Sequence, residues 1–444
     1  MLLEMTEKNK KSLHFITLLC IIINKKWRHM QKKLKVLVLS DHALSTSGVG
    51  TQTRHLLTSL VEKGCWSFRQ FGAALKHSDY RTVVVNDDFI IKPIDGFGNP
   101  EMLRVALATE KPDLLFIFTD PRFFVWLFEM EDEIHQICPI VWWHVWDNYP
   151  YPEFNDSFYE ATDLLNCHSH MTYNMIKDRY PDKTNWVPHS IPSSLFFPLK
   201  KQEIENYKSQ LLGNDKKDHF IGIWVNRNAK RKRPNDVLQS WSLFLKDLKQ
   251  KKGHQKAILI MHTDPCDQEG PNLFRTAEKL GIQENVFFSK DRLDFEKMNV
   301  LYNISDFCIN ISYAEGFGLS TLESMMTGTP IIAAKTGGLT KQVWNSKTKK
   351  SNGVALDIDL KTLVGSQTVP YIYEDYVSTQ NVAKGIMKLY KMPSKEKIRL
   401  SKQVLKYAQE QFSHQKTVDQ WHNTMIDTLH KFKEKNKKWD ITEV

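Results

Sequence analysis

The chain has 444 residues, 41% of them hydrophobic and 25% charged, which predicts a folded globular protein with two domains rather than a disordered or repetitive chain. Its six cysteines include no C-x-x-C pair, which argues against a disulfide framework or a structural zinc site and favours the reducing cytoplasm. The net charge is +10, but nine Lys/Arg against two Glu in residues 1–35 give +7 there and leave +3 for the remainder, so the body of the protein is nearly balanced.

Residues 1–33 are predicted to be an N-terminal extension outside the fold. Their apolar run, residues 13–23, is far shorter than the roughly 20 residues that cross a bilayer, and no small-residue cleavage site follows it. The folded pattern begins just after Met30. The sequence therefore leaves two interpretations of this segment, a misassigned start or a basic anchor in peripheral contact with a membrane.

The first domain is predicted over residues 34–190. A buried strand at 35–40 is followed by a glycine loop, 45–50, and a helix, 51–62. Strands and helical stretches then alternate: strands at 81–86, 114–119 and 140–145, helical stretches at 100–110 and 122–137. This alternation is typical of an α/β domain with a parallel, doubly wound sheet.

Several candidate ligand-binding residues follow the strands of this domain. Ligands bind doubly wound sheets at the carboxyl ends of the strands, where Gly48, Gly50, Asp120, His144 and Asp147 are expected. Three of them also have an ordinary structural explanation, because Gly48 and Gly50 suit a turn and His144 suits a buried strand end among tryptophans. The residues alone leave both interpretations open.

The crossover into a second domain, residues 191–390, is predicted at 186–198, where three prolines favour a stiff, extended linker. Strands are expected at 220–225, 257–262, 286–290, 307–311 and 330–334, and helices at 235–248, 273–280 and 294–304. Residues 391–444 are predicted to be helical, including 404–412 and 418–430.

A basic loop, residues 226–234, follows the first strand of the second domain. Five of its nine residues are Lys or Arg. Between a strand and a helix, such a loop is suited to neutralise a diphosphate, with arginine binding in a bidentate way and lysine as a mobile point charge. It would equally suit a nucleic-acid backbone.

A strand, a glycine turn, a helix and a second strand are predicted over residues 306–338. The turn 316–318 allows the backbone to approach a ligand, and Ser320 is expected to cap the helix, whose first N–H groups suit a phosphate. Glu315 and Glu323 could accept hydrogen bonds from a sugar and a ribose. Alternatively, Ser320 and Glu323 would form a capping box and Glu315 would be solvated.

The segment EGFGLSTLESMMTGTPIIAAKTGG resembles the glutamate–turn–glutamate motif of retaining GT-B glycosyltransferases of the family 4-like (group 1) type. The resemblance extends over nearly the whole chain from residue 34 and is strongest over 220–340. It implies an α/β protein with two Rossmann-like domains facing each other across a cleft, and C-terminal helices that return to the first domain. The implied activity moves a sugar from a nucleotide sugar, UDP- or GDP-linked, to an acceptor with retention, without metal or another cofactor.

The resemblance also assigns roles to residues. Arg227 and Lys232, five apart, match the pair that holds the donor diphosphate, whereas Lys230, Arg231 and Arg233 match nothing. The implied donor site is Arg227, Lys232, Ser289, Glu315, Gly316, Phe317, Gly318, Leu319, Ser320 and Glu323. The implied catalytic residues are His144, Arg227, Lys232 and Glu315, and the implied cleft or acceptor residues are Gly48, Gly50, Asp120, His144 and Asp147.

Two other classes of protein remain compatible with the sequence. A GT-B sugar-nucleotide epimerase would bind the same donor, and a nucleic-acid-binding protein would use residues 1–35 and 227–233 as its basic surface. The acceptor could be a glycan, a lipid-linked group, a protein or a nucleic acid. The D-x-D at residues 357–359 is not expected to bind a metal, because two Rossmann-like halves are already predicted.

Overall fold

The computed structural model describes residues 33–75 and 78–436. The predicted extension therefore lies outside the described residues, apart from residue 33, and so does its expected membrane contact. Within the described part of the chain, none of the helices combines the length and the apolar character that crossing a membrane would require.

The first half of the chain forms an eight-stranded sheet in the order β3-β4-β2-β1-β5-β6-β7-β8. Its strands are parallel except for β3, which runs antiparallel to β4. They are β1 Leu34–Asp41, β2 Trp66–Ala73, β3 Val83–Asn86, β4 Phe89–Pro93, β5 Leu114–Thr119, β6 Ile140–His144, β7 Leu164–Cys167 and β8 Thr184–Trp186. The central strands are apolar and buried on both faces, as expected of a parallel sheet covered by helices.

The second half forms a six-stranded, wholly parallel sheet in the order β11-β10-β9-β12-β13-β16. Its strands are β9 Phe220–Val225, β10 Ala257–His262, β11 Val286–Ser289, β12 Phe307–Asn310, β13 Ile331–Ala334 and β16 Gly353–Leu356. Two small antiparallel pairs form separate sheets, β14 Trp344–Asn345 with β15 Lys350–Ser351, and β17 Leu360–Val364 with β18 Ile372–Tyr376.

Helices cover the faces of both sheets. They are α1 Gly48–Glu62, α2 Pro100–Glu110, α3 Val125–Phe128, α4 Glu131–His135, α5 Asp156–Glu160, α6 His170–Ile176, α7 Lys201–Leu212, α8 Pro234–Lys252, α9 Leu273–Leu280, α10 Phe295–Ile304, α11 Leu319–Met326, α12 Leu339–Val343, α13 Thr379–Tyr390, α14 Ser394–Gln411 and α15 His414–Lys435. Each sheet has a hydrophobic cluster on either face, so the described chain has two doubly wound cores.

The last helix, α15, returns to the first sheet, as the resemblance implies. The ring of Trp421 lies 5.1 Å from that of Phe116 and 5.2 Å from that of Trp143, measured between centroids, and is fully buried. Where the chain crosses between the sheets for the second time, Ser413 forms a bridge with Ile191 of the first crossover. The two crossovers therefore lie side by side, and the boundaries at 190/191 and 390/391 stay predictions.

The structure contains several elements that were not predicted, and three differences are close to the site or to the sheet edges. Strands β2 and β4 were not predicted, because Trp66–Ala73 mixes polar and apolar residues and Phe89–Pro93 is short. The predicted helical stretch 122–137 is three short helical pieces. The hairpin β17–β18 was not predicted either, since its strands are exposed or only half-buried and carry no hydrophobic signal.

Candidate active site

The glycine turn between β12 and α11 has a backbone conformation and close neighbours that leave no room for a Cβ atom. Gly318 has a φ of 86°, and a Cβ at Gly316 would lie 2.2 Å from Asp147 Oδ1 and 2.8 Å from His168 Nε2. Because Asp147 and His168 belong to the first half of the chain, the turn is where the two halves meet. Glycine at 316 therefore permits this close approach.

The first turn of α11 has no side-chain cap at its N-terminus and is fixed instead by hydrogen bonds from Gln342. Gly318 is the N-cap and provides no side-chain hydrogen bond, so Ser320, expected to be the cap, lies instead inside the first turn. Gln342 Nε2 donates to the carbonyls of Phe317 (2.7 Å) and Gly318 (3.1 Å), and Thr321 Oγ1 lies 2.6 Å from Gln342 Oε1. The first N–H groups of α11 are thus rigidly presented, the arrangement that favours binding of an anion.

Glu323 does not take part in a capping box. Its Oε2 accepts a 2.7 Å hydrogen bond from Tyr302 Oη, which rises from the core beneath α11. Burial raises the pKa of Glu323 to about 7, and the bond from Tyr302 acts in the opposite direction. The alternative interpretation of Ser320 and Glu323 as a local capping pair is therefore excluded.

Glu315 and Lys232 form an ion pair at the turn. Lys232 Nζ lies 2.5 Å from Glu315 Oε2, which also lies 3.3 Å from Asn310 Nδ2 and 3.3 Å from Ser312 Oγ. Both charged side chains are largely shielded, 13% and 10% exposed. Burial alone would raise the pKa of Glu315, but Lys232 and Arg231 outweigh it and lower that pKa to about 2. The carboxylate is therefore ionised at neutral pH.

Arg231, for which the resemblance predicts no role, connects the two halves of the chain at this cluster. Its Nη1 lies 3.3 Å from Asp147 Oδ2, 3.9 Å from Glu315 Oε1 and 2.5 Å from the carbonyl of Ala314. The resemblance assigned Arg231 no role, and these contacts bring it to Asp147 and Glu315. Its proximity to Asp147, 84 residues earlier in the sequence, depends on the packing of two domains and leaves no local signal.

Arg227 lies away from this cluster. Its side chain is 50% exposed and pairs with Asp267 (Nε to Oδ2, 2.8 Å) and Glu269 (Nη1 to Oε2, 2.9 Å). Of the predicted diphosphate pair, the structure therefore brings only Lys232 to Glu315. Ser289 ends β11, where its Oγ lies 2.9 Å from His262 Nδ1.

His144 is not in the cleft, which corrects the prediction of an active-site histidine at this position. It is fully buried at the end of β6, with Nε2 2.9 Å from Tyr159 Oη and its ring 4.3 Å from that of Trp142. Burial, with a smaller contribution from His168, holds the pKa of His144 well below its usual range. It is a core residue, the ordinary explanation that the sequence also allowed.

His168 is the histidine that faces the glycine turn. Its Nδ1 lies 2.6 Å from the carbonyl oxygen of His144, and because a carbonyl only accepts, Nδ1 carries the proton. Burial lowers the pKa of His168, partly offset by the His144 carbonyl and by Asp147 and Glu315. The neutral ring therefore presents Nε2, an acceptor, towards Gly316. The sequence placed His168 after β7 but gave no reason to prefer it to His144.

The remaining predicted residues are divided between the cleft and the scaffold. A Cβ at Gly48 would meet only Leu319 Cδ1, at 3.2 Å, so Gly48 faces the glycine turn. Gly50 lies in the first turn of α1 and donates to its N-cap, Ser47. Phe317 is 5% exposed, and its ring packs 5.6 Å from that of Phe412, so its side chain belongs to the core.

Asp120 and Asp147 line one cavity of about 330 Å³ beside the cluster. A larger groove, about 1040 Å³, lies at the crossovers instead, among residues such as Arg54, His55 and His414. It includes none of the predicted site residues. Among residues 33–75 and 78–436, no group of His, Cys, Asp and Glu side chains is arranged to hold a metal ion.

Comparison with known proteins bears on the second half of the chain. Residues 205–358 match the family described as Glycosyl transferases group 1. D-inositol 3-phosphate glycosyltransferase 2 of Catenulispora acidiphila is 29% identical over 129 residues, 28% of this chain and 30% of that protein. D-inositol 3-phosphate glycosyltransferase of Mycolicibacterium smegmatis is 40% identical over 67 residues, 15% of each. The alignment with the Catenulispora relative thus spans under a third of its length.

Solved structures share the architecture of the whole described chain. Sucrose-phosphate synthase from Thermosynechococcus elongatus superposes with a TM-score of 0.67 at 16% identity, over 90% of this chain and 100% of that one. Anabaena HepE, solved with UDP and glucose, gives 0.65 at 16% identity, over 89% and 100%. The predicted GT-B fold is therefore confirmed, as is the resemblance to group 1 glycosyltransferases.

Proposed function

We propose that this chain is a glycosyltransferase of the family 4-like type that moves a sugar from a nucleotide sugar to an acceptor with retention of anomeric configuration. The observation that carries the proposal is the convergence of Glu315, Lys232 and Arg231 on an uncapped helix start, opposite Asp147 and His168 of the other domain. Such a cluster offers cations and N–H donors for a diphosphate beside carboxylates for sugar hydroxyls.

Each group of the cluster has a role in holding the donor. Lys232 neutralises the diphosphate while the first N–H groups of α11 donate to its oxygens. Glu315, ionised at neutral pH, accepts hydrogen bonds from hydroxyls of the donor sugar. Glu323, anchored by Tyr302, accepts from the ribose. A UDP- or GDP-sugar is the expected donor, and both the Anabaena structure with UDP and glucose and the matched family support this class.

The transfer itself needs no side-chain nucleophile. An acceptor hydroxyl attacks the anomeric carbon from the side of the departing diphosphate, the carbon–oxygen bond to the diphosphate breaks, and a glycosidic bond forms. The acceptor proton leaves with a phosphate oxygen. Negative charge builds on the diphosphate in this step, and preorganised cations and N–H donors lower its barrier. The proposal assigns no metal to the reaction, so activity should persist with a chelator.

The cations of the basic loop that lie at the cluster favour a small ligand over nucleic acid. Arg227 pairs with Asp267 and Glu269, Arg231 with Asp147, and Lys232 with Glu315. Lys232 is only 13% exposed, so it could reach a diphosphate that enters the cleft beside Glu315, whereas an extended nucleic-acid backbone needs cations exposed along a surface.

Thermal unfolding of the full chain with UDP-, GDP-, ADP- and dTDP-sugars tests donor binding. A ligand at about 100 times its Kd adds on the order of 2.7 kcal/mol, which gives a measurable rise in Tm. One nucleotide class should raise the Tm of wild type and of Lys230→Ala, and fail to do so for Lys232→Ala. Lys230 is the matched control because it lies on the same loop and is more exposed than Lys232.

Absence of any response in the wild type, or equal responses in all three proteins, would contradict the proposed donor site. Incubation of the chain with donor but without acceptor distinguishes a sugar-nucleotide epimerase from a glycosyltransferase. Sugar isomerisation under those conditions would favour that alternative, whereas a glycosyltransferase returns the donor unchanged or slowly hydrolysed.

A further inference from the structure

The hairpin formed by β17 and β18 reaches across to the first half of the molecule. The backbone N–H of Tyr373 donates to the carbonyl of Tyr149 (2.8 Å), and Asn148 Nδ2 donates to the carbonyl of Tyr373 (2.9 Å). The rings of Phe154 and Tyr371 add an edge contact at 5.4 Å between centroids. The hairpin is thus attached to the aromatic loop that follows β6.

A cavity of about 330 Å³, the hairpin cavity, lies between the hairpin and the first domain. Its walls are Asp120, Arg122, Val145, Trp146, Asp147, Asn148, Val364, Gly365, Ser366, Val369, Ile372 and Glu374. Asp147 also lies 3.3 Å from Arg231, which is 3.9 Å from Glu315. The hairpin cavity is therefore separated from the proposed donor site by little more than the Arg231 side chain.

The size of the hairpin cavity suits one small polar unit. Small-molecule sites occupy roughly 300 to 1,000 Å³, so this cavity lies at the lower end of that range. Trp146, 5% exposed, contributes an aromatic side chain to its wall, and Asn148 and Ser366 contribute polar groups. Sugars are bound in this way, with ring faces against C–H surfaces and polar atoms against hydroxyls.

The charges of the hairpin cavity disfavour a phosphate. Three carboxylates line it, Asp120, Asp147 and Glu374, with the cation Arg122, and Asp147 is itself paired with Arg231 beside the cavity, so Glu374 carries the excess negative charge of the wall. Arg122 is already bound by Asp120, with Nε 2.8 Å from Oδ1. Hydroxyl groups can donate to such carboxylates, whereas a phosphate dianion would be repelled by them.

We propose that the hairpin cavity binds the acceptor as an unphosphorylated sugar unit, and that the hairpin wall carrying Glu374 excludes phosphorylated polyols. This inference rests on the proposed function. It departs from the relatives, whose names give D-inositol 3-phosphate. In the transfer, a hydroxyl of this sugar loses its proton to the departing diphosphate and forms the new glycosidic bond.

Acceptor selectivity of the full chain tests the assignment, with the donor fixed as the nucleotide sugar that stabilises the wild type. The acceptor panel consists of methyl hexosides, the corresponding octyl hexosides, myo-inositol, and inositol and hexose phosphates. We expect kcat/KM for unphosphorylated acceptors to exceed that for their phosphorylated counterparts at least tenfold. Faster transfer to octyl than to methyl glycosides would identify a lipid-linked source, and equal rates a free glycan.

Two variants of Glu374 and one matched control test whether Glu374 causes the preference for unphosphorylated acceptors. Glu374→Lys should reduce or reverse the preference, Glu374→Gln should weaken it, and both should leave donor Kd unchanged. Leu363→Lys places a lysine at a position on the hairpin that is 61% exposed and outside the cavity wall, and it should behave as wild type.

The outcomes distinguish this inference from the proposed function. A wild type that binds no nucleotide sugar overturns the proposed function and this inference with it. A wild type that binds the donor but prefers phosphorylated acceptors overturns the hairpin cavity assignment alone. That assignment is also overturned if Glu374→Gln and Leu363→Lys have equal effects on selectivity while both remain folded.

Discussion

The two sides of the cleft differ in how far their functional residues lie from one another in the sequence. On the donor side, Glu315, the glycine turn and Glu323 fall within nine consecutive residues of one strand–turn–helix unit. On the opposite side, Asp147, His168 and the hairpin come from three separate segments that only the packing of the domains brings together. A local motif therefore predicts the proposed donor site directly, whereas the proposed acceptor side emerges only from the three-dimensional structure.

The largest effect should come from the turn where the two sides touch. Gly316→Ala places a Cβ against Asp147 Oδ1 and His168 Nε2, both too close for a real contact, so the halves must separate. We expect a loss of transfer of at least about 100-fold, since misplacement by about 1 Å can cost that much. Gly385→Ala is the control, because it lies in α13 outside the predicted site and its Cβ meets only aliphatic side-chain carbons, the nearest being Val354 Cγ1 at 3.1 Å. Similar activities of the two variants would show that the contact has no role in the reaction.

The contribution of the Lys232–Glu315 ion pair to the free energy of unfolding can be measured separately from its role in donor binding. Lys232→Ala leaves Glu315 buried without its main partner and should cost about 2 to 4 kcal/mol of unfolding free energy, measured in urea. The double variant Lys232→Met/Glu315→Gln removes both charges and should recover most of that loss without recovering donor binding. Recovery of donor binding by the double variant would refute the roles given to both residues.

Most of the donor side could be predicted because its signals are local. Strands β9 and β10 and helix α9 have the predicted bounds, and Glu315 and Lys232, predicted to share one site, lie in contact. Arg231 was missed because its partner Asp147 belongs to the other domain. Ser320 was expected to be a cap because serine prefers that position, but the left-handed Gly318 starts the helix earlier than a serine cap would allow.

The acceptor side could be predicted only in outline. Asp120 and Asp147 do share a cavity, since both follow parallel strands at one edge of the sheet. His144 also ends such a strand, but its side chain lies on the same face as Trp142 and points into the core. The sequence does not indicate which face His144 occupies, because the strand is apolar on both faces. The hairpin, which completes the cavity, has exposed strands and leaves no hydrophobic pattern.

The effect of Glu323 on the free energy of unfolding should depend on pH, because Glu323 is a buried acid. Glu323 has its pKa raised from 4.5 to about 7, so ionising it in the folded state carries a penalty that is absent below pH 4.5 and complete above pH 7. Glu323→Gln should therefore gain roughly 1 to 3 kcal/mol over wild type at pH 8 and nothing at pH 4.5, in denaturant titrations. A difference that does not vary with pH would place the pKa of Glu323 near its usual value.

The smallest expected effects on activity are those of substitutions at His168 and His144. His168→Gln should lower kcat about tenfold, equivalent to about 1.4 kcal/mol, because Nε2 lies at the meeting point of the domains. His144→Gln should leave kcat and KM unchanged while lowering the Tm, since its ring packs in the core and bonds Tyr159. The opposite pattern would restore His144 as the active-site histidine.

The most direct test of the central claim is release of nucleoside diphosphate from the stabilising nucleotide sugar by the full chain, followed in a coupled assay with the acceptor panel. The account predicts release that depends on acceptor, persists in EDTA, falls at least about 100-fold in Lys232→Ala and is retained in Lys230→Ala. No release from any UDP- or GDP-sugar, or equal rates in both lysine variants, would contradict it.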